Sequence, residues 1–218
     1  MRHTTEKPSE ARLAKYAEQM LDMLQAMSDN PLAKITEARA LIAQVTAPPA
    51  QVKVRIRHDD SPMNPGEWDN LGEIVHWHNR YGLRDGAKRV RNQDEAEEVV
   101  AEALFKLPIY MYDHSGVTVS TSPFGCRWDS GQVGWTYVTA ESAKKIGCAP
   151  EYFESSLKAE IETLDQYCRG DVYGFEVIDE DGDVTDSCWG FYGHDWANNG
   201  IKEHLPDHLQ DHTKWELP

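Results

Sequence analysis

Apolar residues recur at three- and four-residue steps through the first fifty positions of the chain, a period that predicts amphipathic helices. One stripe of this kind spans residues 9–29. Asn30-Pro31 then supplies an N-cap and a first helical position for a second helix, which Pro48-Pro49 ends. We therefore predict a helical hairpin over residues 1–47. It could form a homodimer or pack on the rest of the chain, because two helices alone bury too little surface to be stable.

Beyond Pro49 the period changes to two, which predicts half-buried strands. The predicted strands are Val52–Ile56, Ile74–His78, Leu107–Tyr112, Val117–Thr121, Val133–Val138, Val172–Ile178 and Val184–Phe191. Two segments between them favour a helix. Asn92–Phe105 begins with the spacing of a capping box, and Pro150–Cys168 ends at Gly170, a typical C-cap residue.

The last two predicted strands flank Asp179–Asp183, which indicates a β-hairpin because an Asp-Gly pair adopts the positive φ values that a tight turn needs. Short helical pieces are expected at residues 206–212. The fold class is therefore α+β. We expect one domain over residues 51–218, with an antiparallel sheet and its helices packed on one face, preceded by the helical hairpin.

Composition agrees with a folded domain, since 40% of the 218 residues are hydrophobic and 10% are aromatic. No apolar run approaches the roughly 18 residues that a membrane span needs, and the first residues lack the apolar core of a signal peptide. We expect a cytoplasmic protein that makes no membrane contact. The four cysteines contain no CxxC pair, so we expect reduced and mostly buried thiols.

Charge is distributed unevenly along the chain. Residues 151–218 hold 17 acidic and 4 basic residues, so most of the net charge of −15 falls in the last third. Such a surface repels nucleic acid and attracts proteins with a basic surface. Glu154, Glu162 and Asp207 are its expected exposed members and candidate partner-binding residues. A solvated acidic surface without a partner is the simpler alternative.

Two polar clusters lie next to predicted strands. Asp113-His114-Ser115 follows one strand, and Asp129-Ser130 precedes another together with Gln132, so both clusters could meet at one edge of a sheet. A catalytic triad needs its three groups on separate elements, because adjacent side chains in an extended chain point to opposite faces. Asp and Ser are also common turn residues. The clusters are therefore candidates for ligand binding or for turn formation.

Histidine pairs are the candidate metal ligands. His76 and His78 share a face of a predicted strand, and His208 and His212 have the i, i+4 spacing of a helix. Neither pair lies in a metal-binding motif with a third ligand, and Asp179–Asp183 lacks the flanking ligands of a calcium loop. We predict no metal and no cofactor. Common phosphate-binding and nucleophile motifs are absent from the sequence.

Several segments resemble a family of small, uncharacterised bacteriophage and prophage proteins. The segments are WDNLGEIVHWHNRYGL, LPIYMYDHSGVTVST, CRWDSGQVGWTYV, ETLDQYCRGDVYGFEV and DSCWGFYG, and the resemblance covers about residues 52–193. It implies a phage origin, and hence the cytoplasm of a host cell. It implies no known reaction and transfers no catalytic residue.

Three functions are consistent with these patterns. The leading hypothesis is a phage accessory protein that binds and inhibits a host protein, such as a nucleic-acid-handling defence component in the manner of an anti-CRISPR protein. The second is a hydrolase or nuclease-like enzyme that uses Asp113, His114 and Asp129, with Glu67 and Asp69 as further carboxylates. The third is a small-ligand binder that stacks a nucleotide on Trp and Tyr rings.

Overall fold

The chain divides into two compact units, Met1–Gln51 and Val52–Pro218. The computed structural model describes residues 52–126 and 128–218, together with Gln19 and Thr36. The predicted helical hairpin and its proposed dimer interface lie outside the described residues and stay predictions. Within the described part of the chain, no helix has the length and apolar character required to cross a membrane.

The second unit is an α+β structure with two sheets and few helices. Its strands are β1 (Lys53–His58), β2 (Glu73–His76), β3 (Lys88–Arg89), β4 (Phe105–Asp113), β5 (Val117–Ser120), β6 (Ser130–Val138), β7 (Val172–Ile178) and β8 (Val184–Tyr192). Its α-helices are α1 (Gln93–Val99), α2 (Ala140–Ile146) and α3 (Phe153–Arg169). Short 3₁₀ turns are Pro65–Glu67, Pro150–Tyr152, Ile201–His204, Asp207–Leu209 and His212–Lys214.

The larger sheet has five strands in the order β3-β2-β6-β4-β5. All neighbours are antiparallel except the short β2–β3 pair, which is parallel. The smaller sheet has three antiparallel strands in the order β1-β7-β8. The prediction of a single antiparallel sheet was therefore wrong. Alternation along the chain predicts strands, but it does not say which strands share hydrogen bonds.

Helices cover both faces of the five-stranded sheet. Ile74 on β2 packs with Ile161 and Leu164 of α3, whereas the next residue, Val75, packs with Ala96 of α1. Because neighbouring strand residues point to opposite faces, α1 and α3 lie on opposite sides of the sheet. The prediction that both helices pack on one face was wrong.

Helix α3 is held by one apolar stripe. Leu157, Ile161 and Leu164 recur at helical spacing and are each at least 98% buried. Burying each of them contributes about 1.5–3 kcal/mol. The helix ends as predicted at Gly170, whose φ of 70° is left-handed.

The three-stranded sheet is covered on one face by the C-terminal residues. Its inner face carries alternate residues of β1 and β7, and these pack against Ile201, Leu205 and Trp215. Glu216 then pairs with the outer edge of β1, because its backbone N–H donates to the Val54 carbonyl at 2.8 Å and its carbonyl accepts from the Ile56 N–H at 2.7 Å. The C-terminal segment therefore closes one face and one edge of this sheet.

Two local predictions need correction, and one helix was missed. The predicted helix Asn92–Phe105 ends at Val99, because the Leu104 N–H donates to the Val138 carbonyl and Phe105 begins β4. Helix α2 was not predicted. The four cysteines are free thiols as expected, but each is only partly buried.

Candidate functional site

The structure brings the two predicted polar clusters together at one end of the five-stranded sheet. Asp113 is the last residue of β4, and its backbone N–H donates to the Asp129 carbonyl at 2.9 Å. The His114 Nδ1 lies 3.4 Å from the Asp129 Oδ2, and the Arg80 Nη1 lies 3.4 Å from the Asp113 Oδ2. Both ion pairs are solvent-accessible, so they contribute little to stability.

Ser115 belongs to the turn between β4 and β5. Its φ of 61° is left-handed, and the His114 N–H donates to the Gly116 carbonyl at 3.2 Å. A left-handed non-glycine residue is uncommon, and a tight turn is the usual reason for it. The predicted Asp113-His114-Ser115 triplet therefore forms a hairpin turn, and it does not have the geometry of a catalytic triad.

The other two members of the predicted cluster use their side chains to hold the start of β6. The Ser130 hydroxyl donates to the Cys126 carbonyl, and the Gln132 Nε2 donates to the Gly134 carbonyl at 3.2 Å. What remains available for chemistry is one exposed imidazole beside one exposed carboxylate, His114 with Asp129.

The further carboxylates of the hydrolase hypothesis do not join this cluster. Asp69 pairs with the Lys145 Nζ at 2.8 Å, and Lys145 belongs to α2, which follows the end of β6 opposite to Asp129. Glu67 lies in the 3₁₀ turn Pro65–Glu67 and is an electrostatic neighbour of Tyr192. The five predicted residues therefore do not form one site.

The two histidine pairs do not supply a metal site in the described residues. His76 is 2% exposed in the core, where burial lowers its pKa below the usual value, whereas the His78 Nδ1 accepts the Tyr81 N–H at 3.2 Å. His208 and His212 lie in two separate 3₁₀ turns, so the predicted helical i, i+4 geometry was wrong. Across residues 52–126 and 128–218, no group of three potential metal ligands converges.

The three acidic candidates are exposed, each in a different setting. Glu154 lies in the first turn of α3 and pairs with the Lys158 Nζ at 2.6 Å, and Asp207 lies in a C-terminal 3₁₀ turn. Glu162 lines a groove of about 550 Å³ between β5 and α3. Asp165 in the same groove accepts the Val119 N–H at 2.8 Å and so covers the outer edge of β5.

The hairpin between β7 and β8 forms as predicted. The Asp179 Oδ1 accepts the N–H groups of Asp181 and Asp183 at 3.1 and 2.9 Å, and Gly182 has a φ of 90°. Glu180, Asp181, Asp183 and the following Asp186 are exposed. We call residues 179–186 the acidic hairpin.

A surface that the sequence did not indicate lies on the outer face of the three-stranded sheet. Tyr192 pairs with Val172, and Trp189 pairs with Gly174, so both side chains share the face opposite to the apolar core. The Trp189 ring lies over Gly174, where a Cβ atom would collide with it. The Trp68 ring meets the Tyr192 ring edge to face, with the ring centroids 5.0 Å apart, and the Trp68 Nε1 donates to the Met63 Sδ at 3.0 Å. We call Met63, Trp68, Trp189 and Tyr192 the aromatic surface.

Searches of protein-family models, curated proteins and solved structures find no match to this chain. The resemblance to phage proteins therefore stays a prediction.

Proposed function

We propose that this chain is a non-enzymatic accessory protein that binds a cationic surface of another protein and blocks it. The observation that supports this most directly is the charge of the β7–β8 region. Residues 170–201 contain eight Asp or Glu residues and no Lys or Arg. The exposed members of this set lie mainly on the acidic hairpin, where solvent-facing carboxylates can meet a partner without large rearrangement.

The chemistry of the surface suggests the class of partner. Proteins that bind DNA or RNA use grooves lined by Lys and Arg, and an acidic protein competes for such a groove. A nucleic-acid-handling protein of a host defence system is the proposed target, and a phage origin is part of the same proposal. Glu154, Glu162 and Asp207 add exposed negative charge outside the hairpin.

The hydrolase hypothesis is retained as the second candidate because His114 and Asp129 form an exposed imidazole–carboxylate pair. It is weaker because its further carboxylates lie elsewhere: Asp69 pairs with Lys145, and Glu67 is an electrostatic neighbour of Tyr192. An enzyme of this kind would need its proton-transfer groups to converge on a substrate position, as general acid–base catalysis requires.

The test uses the full chain as bait in a lysate of a candidate bacterial host, followed by association kinetics with the purified captured protein. We expect the association rate to fall as salt rises from about 0.05 M to about 0.3 M, because charge steering is screened beyond about 8 Å at physiological ionic strength. The triple variant Glu154→Lys, Glu162→Lys, Asp207→Lys should associate about tenfold more slowly.

The matched control is Asp113→Asn with Asp129→Asn, which also removes negative charge but at the other cluster. It should associate and inhibit like the unchanged protein. If instead the paired Asn changes abolish inhibition while the three charge reversals leave it intact, the acidic-surface proposal is wrong and a reaction around His114 and Asp129 replaces it.

A further inference from the structure

The groove of about 550 Å³ between β5 and α3 has the layout of a peptide-binding site. Residues 118–122 form its strand side, with Phe124 beyond them, and Lys158, Ile161, Glu162 and Asp165 form its helix side. Ligand sites commonly enclose about 300–1,000 Å³. A groove between an edge strand and a helix is also a place where an extended peptide can add to a sheet.

The edge of β5 offers a backbone acceptor to this groove. β5 is the last strand in the order of its sheet, and the Val119 N–H donates to the Asp165 Oδ1 at 2.8 Å, so Val119 faces away from β4. The N–H and C=O of one strand residue point to the same side, so the Val119 carbonyl also points outward. Beyond the pairing of β4 with β5, no hydrogen bond among the described residues uses this carbonyl.

One carboxylate of the groove is not neutralised by a neighbour. Lys158 pairs with Glu154 at 2.6 Å. Asp165 pairs with the Arg169 Nε at 2.9 Å. Glu162 is exposed and forms no ion pair within residues 52–126 and 128–218. Its charge therefore favours a cationic group over an anionic one as the occupant of the groove.

The apolar part of the groove is fixed in position. Ile161 is 2% exposed and belongs to the core beneath β5, together with Val119. Phe124 is half-buried, and its ring centroid lies 5.9 Å from that of Tyr112. A partner would meet a preformed wall, and it would lose less conformational entropy on binding than it would against a mobile one.

We propose that this groove binds an extended basic segment of the partner protein. A backbone N–H of the segment donates to the Val119 carbonyl, a Lys or Arg side chain meets Glu162, and an apolar side chain packs against Phe124. This inference rests on the proposed function and names a contact site for the cationic partner. Main-chain hydrogen bonds supply affinity in this mode of binding, and the side chains supply specificity.

A nucleotide is the competing occupant, because the Lys158 ammonium and the hydroxyl groups of Thr118 and Ser120 also line the groove. Glu162 and Asp165 oppose it, since carboxylates repel phosphate. The ammonium of Lys158 is already engaged by Glu154. The charges of the groove thus favour the peptide.

Fluorescence-anisotropy titration of the full chain with four labelled probes tests the inference. The probes are a heptapeptide of alternating Val and Lys, the same peptide with Glu in place of Lys, the Lys peptide methylated at every backbone nitrogen, and adenosine triphosphate. We expect the unmethylated Lys peptide to bind most tightly. The methylated peptide should bind about fivefold more weakly or less, because it cannot donate to the Val119 carbonyl.

Glu162→Lys should weaken binding of the Lys peptide by about fivefold or more, because it places a cation beside the peptide's own. Asp207→Lys is the matched control, since it makes the same change of charge in a C-terminal 3₁₀ turn that does not line the groove. It should change the affinity by less than about twofold. Phe124→Ala should also weaken binding, and far-UV circular dichroism verifies the fold of each variant.

Equal effects of Glu162→Lys and Asp207→Lys would overturn the groove inference and leave the acidic-surface proposal standing, because only the net charge would then matter. Equal affinity of the methylated and unmethylated peptides would overturn it as well. If the Lys peptide does not bind, the inference is wrong, and the acidic-surface proposal is decided separately by the salt dependence of the captured partner. Tighter binding of adenosine triphosphate would replace the peptide with a nucleotide.

Discussion

The two sheets of this unit differ in how their faces are covered. The five-stranded sheet has a helix on each face and a largely buried ion pair between Arg84 and Glu160 of α3. The three-stranded sheet has its apolar core on the inner face, and its outer face is only partly covered, with Val172 buried and Trp189 exposed. The open face carries exposed Trp rings, and the open edge carries the acidic hairpin. Buried polar residues of the first sheet therefore contribute to stability, whereas the exposed residues on the outer face of the second are available for recognition.

Removing the cation of the Arg84–Glu160 pair in the five-stranded sheet should lower the free energy of unfolding more than any other change considered below. Arg84, whose side chain is 8% exposed, lies 3.8 Å from Glu160 and donates to the Gly72 carbonyl, while Glu160 accepts the N–H groups of Leu71 and Gly72. Arg84→Met leaves the buried carboxylate without its cation, and we expect the free energy of unfolding to fall by about 3–5 kcal/mol. Urea denaturation followed by circular dichroism measures it.

Lys158→Met is the control, since the exposed Glu154–Lys158 pair should contribute less than about 1 kcal/mol. If Arg84→Met lowers the free energy of unfolding by less than about 1 kcal/mol, Glu160 takes up a proton in the variant and the ion pair does not hold the loop. Burial raises the pKa of Glu160, so in that case the loss of stability should grow as pH rises.

His76 gives the covered sheet a pH dependence. Burial lowers its pKa, and the nearby charges of Arg89 and His78 lower it further. The unfolded chain takes up a proton near the usual pKa of about 6.5, whereas the folded chain resists it, so stability should fall as pH drops below about 6.5. The slope should reach at most about 1.4 kcal/mol per pH unit.

His76→Leu should remove this contribution to the slope. The comparison isolates His76 because the other histidines remain in both proteins, and the substitution also removes the buried Nδ1 that has no hydrogen-bond partner. Urea denaturation of both proteins at several pH values between 5 and 8 measures the difference. Equal slopes would contradict the expected burial of a neutral imidazole.

The fold was predictable where a local pattern and its end signal agree. Strand β7 has the predicted bounds, and α3 ends at Gly170 because a left-handed residue ends a helix whatever surrounds it. Helix α2 has no apolar stripe, so periodicity missed it, although Thr139 and Ser142 form a capping box and Gly147 ends it. Those cap residues were the available signal.

A substitution in the exposed hairpin of the three-stranded sheet should lower the free energy of unfolding less than one in the core of the five-stranded sheet. Asp179→Ala removes an acceptor that bonds the Asp181 and Asp183 N–H groups at the tip of the acidic hairpin. Because these groups are exposed, water replaces the lost acceptor, and we expect a loss of about 1 kcal/mol. Asp181→Ala, whose side chain makes no hydrogen bond in the described structure, is the control. Hydrogen exchange of the hairpin amides detects the change, and equal exchange in both variants would contradict it.

The site was less predictable than the fold for a physical reason. Asp113 and Asp129 were expected to meet because both flank strands, and they do. The aromatic surface joins Trp68 to residues more than a hundred positions later, and its alignment depends on the β7–β8 register, which shifts at Gly174. A bulge changes which face a side chain occupies, and no local pattern in the sequence marks it.

The smallest effect is expected where the sequence first suggested catalysis. Asp113→Asn with Asp129→Asn keeps the shape of both side chains and the backbone bond between the two residues, and removes only the charges facing Arg80 and His114. Exposed ion pairs contribute little, so the free energy of unfolding should change by less than about 0.5 kcal/mol. Urea denaturation beside the unchanged protein is the measurement. A loss above about 1.5 kcal/mol would show that these two carboxylates stabilise the fold. The exposed end of β4 would then contribute to stability in the same way as the buried polar groups of the five-stranded sheet. A negligible loss in the free energy of unfolding is the result expected for turn residues at a solvent-exposed edge of the sheet.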